Sequence, residues 1–182
     1  MKTRDIRKLK VGSEEHLAPG YCRVFSENDQ NSVLMEIDKE SDRSVVLVSA
    51  SFLDDLLKSR LVLLFCKGNK AARDALFDFN GPFGSFSSRI ETLFCLGLLD
   101  KVSRDDLHVI RKLRNYCAHN WSNFAFGDEV QSKFVGRMKN FLALPPDRDD
   151  HERPFSCRSK FVLVSAYYLL TLNYHAPVKA SA

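Results

Sequence analysis

The 182 residues of the chain are enough for one domain with a full hydrophobic core and too few for two comfortable ones. Hydrophobic residues make up 45% and charged residues 27%, which are ordinary values for a globular protein. The formal net charge of +4 permits nucleic-acid binding without requiring it.

The five cysteines are odd in number and widely spaced, with no C-x-x-C pair. We therefore expect reduced thiols in a cytoplasmic protein, and neither a metal site nor any other cofactor. The first ten residues are basic, but no apolar run follows them, which argues against a signal peptide. The longest apolar stretch, residues 61–66, is too short to span a membrane, so no membrane contact is expected.

Charge and periodicity divide the chain into three predicted parts. Residues 1–28 carry many charges and little periodicity, which is typical of an N-terminal arm or tail. Residues 29–175 carry helical patterns and are predicted to form one bundle domain. Residues 176–182 are predicted to be a C-terminal tail.

Apolar residues recur at helical spacing along most of the central part. A long helix is predicted over residues 43–65. Its β-branched start would also suit a strand, but its length and later leucine spacing favour the helix. The sequence NGPFG at residues 80–84 predicts a turn before a helix that Ser85 or Ser87 can cap. The other predicted helices cover residues 32–39, 71–77, about 85–98, 103–119, 130–141 and 156–173.

The helix before residue 120 has clear start and stop signals. Ser103 and Asp106 form a Ser-x-x-Asp capping signal, and Asn120 can end the helix just after His119. An aromatic loop is predicted at residues 121–126. Because no convincing strand pair is present, we predict an all-α fold, a single-domain helical bundle with one core.

This helix carries an arginine on its apolar side. Each residue of an ideal helix turns by about 100°, which places one apolar face along Leu107, Ile110, Leu113 and Cys117. Arg114 falls inside that face. A partly buried arginine stays charged and needs an acidic partner or an anionic ligand. With His119 just beyond it, the pair suits phosphate chemistry.

Four segments of the chain resemble the mannitol operon repressor family of bacterial regulators. They are residues 50–57 (ASFLDDLL), 81–90 (GPFGSFSSRI), 96–99 (LGLL) and 110–120 (IRKLRNYCAHN). Their order and spacing fit the family, and the resemblance extends over about residues 44–142. It implies a bacterial regulator, and it places Asp54 at the family's acidic position and Arg89 at a basic position that binds an acidic neighbour.

The motif Arg114-x4-His119 is also similar to the signature of the wider HEPN superfamily of helical domains, in which a polar residue such as Asn115 follows the arginine. That resemblance implies a HEPN-like bundle and, in many members, metal-independent RNA cleavage in toxins or phage defence. Other members are non-catalytic. HEPN dimers often place two motifs across a cleft, so a homodimer is expected.

The chemistry of such a nuclease assigns each residue a role. The 2′-hydroxyl of RNA attacks the neighbouring phosphate, so His119 would act as base or acid because its ordinary pKa lies near neutrality. Arg114 would hold the phosphate oxygens, and Asn115 would donate a further hydrogen bond. Asp54 would pair with Arg114 and orient it.

Each candidate residue also has a structural interpretation. In this interpretation Arg114 bridges helices to Asp54 or Asp55, and His119 caps carbonyls at the helix end. A basic run on the same helix could bind the RNA backbone or form a solvated face. Trp121, in the loop beyond it, could stack on RNA bases or pack under the loop. The run consists of His108, Arg111 and Lys112. Arg60, among apolar residues, is expected to form an ion pair at the edge of the core.

Two function classes follow from these observations. The first is a metal-independent endoribonuclease in a toxin or defence role, with an antitoxin as a possible protein partner. The alternative is a non-catalytic transcriptional or operon regulator of the mannitol repressor type, which acts through contacts with a regulatory protein or with nucleic acid. No helix-turn-helix motif stands out that would read DNA sequence directly. The intact Arg114, Asn115 and His119 set favours the nuclease hypothesis.

Overall fold

The computed structural model describes residues 22–23, 37, 39–64, 69–119, 124–140 and 155–175. Within these ranges the chain is an all-α bundle, as predicted. A 3-10 turn covers Val135–Arg137. The helices are α1 (Asp42–Leu64), α2 (Lys70–Phe77), α3 (Phe86–Cys95), α4 (Lys101–His119), α5 (Asp128–Lys133) and α6 (Cys157–Thr171). No helix in this part of the chain is both long enough and apolar enough to cross a membrane.

Some predictions concern residues outside the described ranges. They include almost all of the N-terminal arm, the C-terminal tail, the last residue of the helix expected over 130–141, and most of the helix expected over residues 32–39. The proposed domain boundaries therefore stay predictions.

Helix α1 is the central element and contacts α3, α4 and α6. Its buried side has no exposed surface and carries Val45, Val46, Ala50, Leu53, Leu56, Leu57 and Leu61. The β-branched start belongs to the same helix because burial against three neighbours outweighs a weak local strand preference. The helix prediction is confirmed here, and the strand alternative is wrong.

The predicted turn before α3 is present and tightly closed. The Gly81 N–H donates to the Asp78 carbonyl at 2.8 Å. A Cβ atom at Gly81 would lie 2.3 Å from the Ala75 carbonyl oxygen, so glycine is required at this close approach. We refer to residues 78–84 as the 78–84 turn.

Ser85, rather than Ser87, caps α3. The Ser85 hydroxyl accepts a hydrogen bond from the Ser88 N–H at 3.0 Å, and the Ser88 hydroxyl accepts one from the Ser85 N–H at 3.3 Å. The helix ends at Cys95, earlier than predicted, because Gly97 adopts a φ of 70° and turns the chain into the left-handed region.

The capping prediction for α4 is wrong. Asp100 lies before the first turn, and its carboxylate accepts a hydrogen bond from the Ser103 N–H at 2.6 Å. Asp106 is fully buried instead. Its carboxylate accepts hydrogen bonds from the N–H groups of Lys139 and Asn140, at 2.8 and 2.9 Å, and from the Tyr168 hydroxyl at 2.9 Å.

The predicted helix over residues 130–141 is broken into two pieces. Helix α5 ends at Lys133, and Phe134 leaves helical geometry with a φ of −129° and a ψ of −75°. The 3-10 turn that follows brings residues 139 and 140 to Asp106, and these hydrogen bonds hold the backbone away from a continuous helix.

The two ends of the described chain meet in a short ladder that was not predicted. Strand β1 (Cys22–Arg23) pairs antiparallel with β2 (Tyr174–His175). Just before β2, the predicted last helix is confirmed as α6. The Ser156 hydroxyl caps it by accepting a hydrogen bond from the Ser159 N–H at 3.1 Å.

Candidate functional site

An ion pair between α1 and α3 lies at the centre of the candidate site. The Arg89 Nη1 donates to the Asp54 Oδ1 at 2.5 Å, and the two side chains are 7% and 19% exposed. The other nitrogens of Arg89 donate to the carbonyls of Phe83 and Gly84 at 2.8 and 3.3 Å. Arg89 thereby joins α1 to the 78–84 turn, as expected for a basic residue with an acidic neighbour.

The predicted pairing of Asp54 with Arg114 is replaced by the pairing with Arg89. Arg114 is half-buried on α4 and forms no ion pair or hydrogen bond within the described residues. Its charge still acts on Asp54 and favours the ionised carboxylate. Burial outweighs the attraction of both arginines and raises the pKa of Asp54 above its ordinary value. The site therefore holds two guanidinium groups and the carboxylate of Asp54, and the neighbouring negative charge of Asp55 adds to the rise in the pKa of Asp54.

His119 and Asn115 are exposed, and His119 is the last residue of α4. His119 lies five positions after Arg114, which on an ideal helix is a rise of about 7.5 Å and a net rotation of about 140°. The helix alone does not direct the two side chains to one side. The shared cleft, like the catalytic roles of the three residues, stays a prediction.

His108 takes part in contacts between helices. Its Nε2 lies 2.8 Å from Glu91 Oε1 on α3. Arg104 donates to the same carboxylate through Nε at 2.8 Å and Nη2 at 2.6 Å, and its guanidinium lies 5.0 Å from the centre of the Phe94 ring. The contact with Glu91 supports the structural interpretation of His108 over RNA binding.

The other predicted RNA-binding residues differ in their surroundings. Lys112 is exposed on α4, whereas Arg111 is half-buried and its Nε has no hydrogen-bond partner within the described residues. Trp121 lies outside those residues. Arg60 is 6% exposed, and the ion pair expected for it is not formed with any described residue. Burial lowers the pKa of Arg60.

The buried network around Asp106 was missed in the sequence. Burial raises the pKa of Tyr168, whose hydroxyl donates to Asp106 and accepts a hydrogen bond from the Asn140 side-chain amide. A signal was present, because Asp106 lies four residues before Ile110 and seven before Leu113, on the apolar face of α4. Among the described residues, no three His, Cys, Asp or Glu side chains are grouped to hold a metal ion.

The fold of the chain occurs in a solved structure of another protein. The X-ray structure of the MtlR–HPr complex from Escherichia coli contains a chain similar to this one, with a TM-score of 0.66 and 22% sequence identity. The similarity covers 81% of this chain and 99% of that chain. At this level of identity it shows the fold.

The sequence comparisons identify the family. The model of the mannitol repressor family matches residues 28–163, and the chain belongs to that family. Mannitol operon repressors from Escherichia coli strains K12 and O6:H1 are each 27% identical to it over 121 residues, or 64% of this chain. The chain matches 62% of the length of these relatives.

These comparisons bear on the two function hypotheses unequally. They support the regulator alternative and lend nothing to the endoribonuclease, toxin and defence interpretations. The resemblance to the HEPN superfamily stays a prediction. The family resemblance derived from the four sequence segments is confirmed.

Proposed function

We propose that the protein is a non-catalytic transcriptional regulator of the mannitol repressor type that works by binding another protein. The observation that carries this proposal is the family match over residues 28–163. The similar MtlR structure is a complex with HPr, and the similarity extends over 99% of that MtlR chain. We infer that an HPr-type protein is a partner of this chain in the cytoplasm as well.

RNA binding with metal-independent cleavage is a second candidate, and one observation favours it. Arg114 is half-buried beside Asp54 and forms no ion pair or hydrogen bond with a described residue. Its guanidinium suits a phosphate group, which Arg114 would hold while His119 transfers a proton and Asn115 donates a hydrogen bond. In a toxin, an antitoxin would be the protein partner.

Calorimetry with purified HPr from Escherichia coli tests the first proposal. We expect saturable binding to the full chain, with heat that disappears after the chain is unfolded. No detectable binding at concentrations near 100 µM, roughly the weak end of specific protein association, would count against this partner.

Incubation of the same preparation with RNA in EDTA separates the two candidates. The regulator proposal expects intact RNA. Cleavage to 2′,3′-cyclic phosphate ends, with an all-DNA strand left intact, would favour the nuclease. His119→Ala should then lower the rate by about 10²-fold or more, while Ala118→Ser, a change at the neighbouring exposed residue, should leave it unchanged.

We also propose that the protein is a homodimer. A second copy would bring a second α4, with its own Arg114 and His119, close to the first. Light scattering should then report twice the chain mass of 20.8 kDa. A mass of one chain across the micromolar range would reject the dimer without affecting the partner proposal.

A further inference from the structure

Phe79 in the 78–84 turn is 91% exposed. The other described phenylalanines are buried or half-buried, including Phe77 and Phe83 on either side of it. Those two rings contact each other with centroids 5.5 Å apart. Phe77 at the end of α2 and Phe83 in the turn thus pack against the protein, whereas the ring of Phe79 lies in water and adds nothing to the stability of the fold.

The turn holds Phe79 in a fixed position. Besides the bond between Gly81 and Asp78, the Gly84 N–H donates to the Gly81 carbonyl at 3.0 Å. A Cβ atom at Gly84 would lie 2.6 Å from the Phe79 carbonyl oxygen, so the backbone folds closely on itself. Arg89 adds two hydrogen bonds to carbonyls of the turn and links it to Asp54. A ring fixed in this way loses little conformational freedom on binding.

The surface beside Phe79 is open and carries charges of both signs, because Lys70 and Arg73 of α2 accompany Asp74 and Asp78. Phe77 is the one buried residue of α2, whose alanines at positions 71, 72 and 75 are exposed. Asp74 and Asp78 are exposed and form no ion pair with any described residue. The aromatic ring thus projects next to small side chains and the exposed carboxylate of Asp78.

We infer that Phe79 is the anchor by which the chain binds its protein partner, and that it enters an apolar pocket with a basic group at the edge that faces Asp78. This inference rests on the proposed function, because it assigns a binding surface to the proposed HPr-type partner. Large aromatic residues dominate binding energy at protein interfaces when they fill a desolvated pocket. The exposed carboxylate of Asp78, directly before Phe79 in the sequence, favours a basic group on the partner at the edge of that pocket.

Binding of Escherichia coli HPr to variants of the full chain tests the assignment. Phe79→Ala should weaken binding by about 30-fold, the loss that corresponds to removal of a hot-spot aromatic residue. Asp78→Lys should weaken it by about 10-fold, and less so at high salt. Leu96→Ala is the matched control, since Leu96 is an exposed apolar residue at the other end of α3, and it should bind like the wild type. The melting temperature of Phe79→Ala should stay unchanged because the ring is exposed.

Each other outcome has a distinct meaning. If the wild type binds HPr and Phe79→Ala binds equally well, the anchor assignment is wrong while the proposed function stands. If Phe79→Ala converts a dimer to a monomer and leaves HPr binding intact, the ring belongs to an interface between copies and the assignment is again wrong. If the wild type does not bind HPr, the proposed partner and this surface assignment both fail.

Discussion

Asp106 and Asp54 show two ways in which this bundle holds a negative charge. Asp106 has no exposed surface, and three neutral donors from two other parts of the chain satisfy its carboxylate. Asp54 keeps 19% of its side chain exposed, bonds Arg89 and lies within the electrostatic reach of Arg114. The first arrangement is closed and serves the fold. The second includes Arg114, which forms no ion pair or hydrogen bond with a described residue, and it suits a ligand.

The largest effect is expected from a substitution of the fully buried Asp106. Asp106→Asn places an amide N–H group among three donors and leaves at least one of them without an acceptor. We expect the free energy of unfolding to fall by roughly 2–4 kcal/mol in urea denaturation. Asp105→Asn, a change at the half-buried neighbour with two long contacts at 3.5 Å, should cost less than about 1 kcal/mol. Equal losses for the two variants would show that Asp106 is not a structural centre.

At the Asp54 site, the ion pair with Arg89 should contribute to stability, whereas Arg114 should contribute little. Asp54→Asn deprives the buried Arg89 of its counter-charge, so we expect a loss of roughly 1–3 kcal/mol in the free energy of unfolding. Arg114→Ala removes a charge that bonds no described residue and should cost less than about 1 kcal/mol. Both values come from the same urea titrations. If Arg114→Ala lowers the free energy of unfolding as much as Asp54→Asn does, Arg114 is a structural residue. The main argument for a ligand at this site then fails.

The smallest expected effect concerns Glu91, which is paired at the surface. Hydrogen bonds from Arg104 hold the pKa of Glu91 below its ordinary value. Its contribution to stability is therefore present above the pKa of the unfolded chain and disappears as pH falls through the lowered native pKa. At pH 7 the free energy of unfolding of the wild type should exceed that of Glu91→Gln by less than about 1 kcal/mol. The difference is small because the Glu91 side chain is 42% exposed and its charge is screened by solvent. Denaturation at several pH values measures this difference, and a gap that widens in acid would contradict the assignment.

Sequence periodicity was sufficient to predict the long helices because burial of one face depends on local spacing. It located α1, α4 and α6 and the buried face of α4. Partner choice was harder to predict. Two arginines from different helices approach Asp54, and only their three-dimensional placement decides that Arg89 forms the bond.

The Asp106 network escaped prediction for a related reason. Its partners lie 33, 34 and 62 residues away along the chain, so no local sequence pattern predicts these hydrogen bonds. The capping motif that includes Asp106 offered a local explanation that was simpler and wrong. The break at Phe134 is a consequence of the same long-range hydrogen bonds. The roles of Arg114 and His119 depend on a ligand, which periodicity does not describe.

Arg158, at the start of α6, donates to Asp42, at the start of α1, at 2.6 Å across 116 residues of sequence. During translation at roughly 5–20 residues per second, α1 leaves the ribosome about ten seconds before α6. Throughout that interval the side of α1 that later packs against α6 faces water or a chaperone. The central helix of the bundle is thus made first and covered last, and a nascent chain interrupted before α6 is the form most exposed to aggregation.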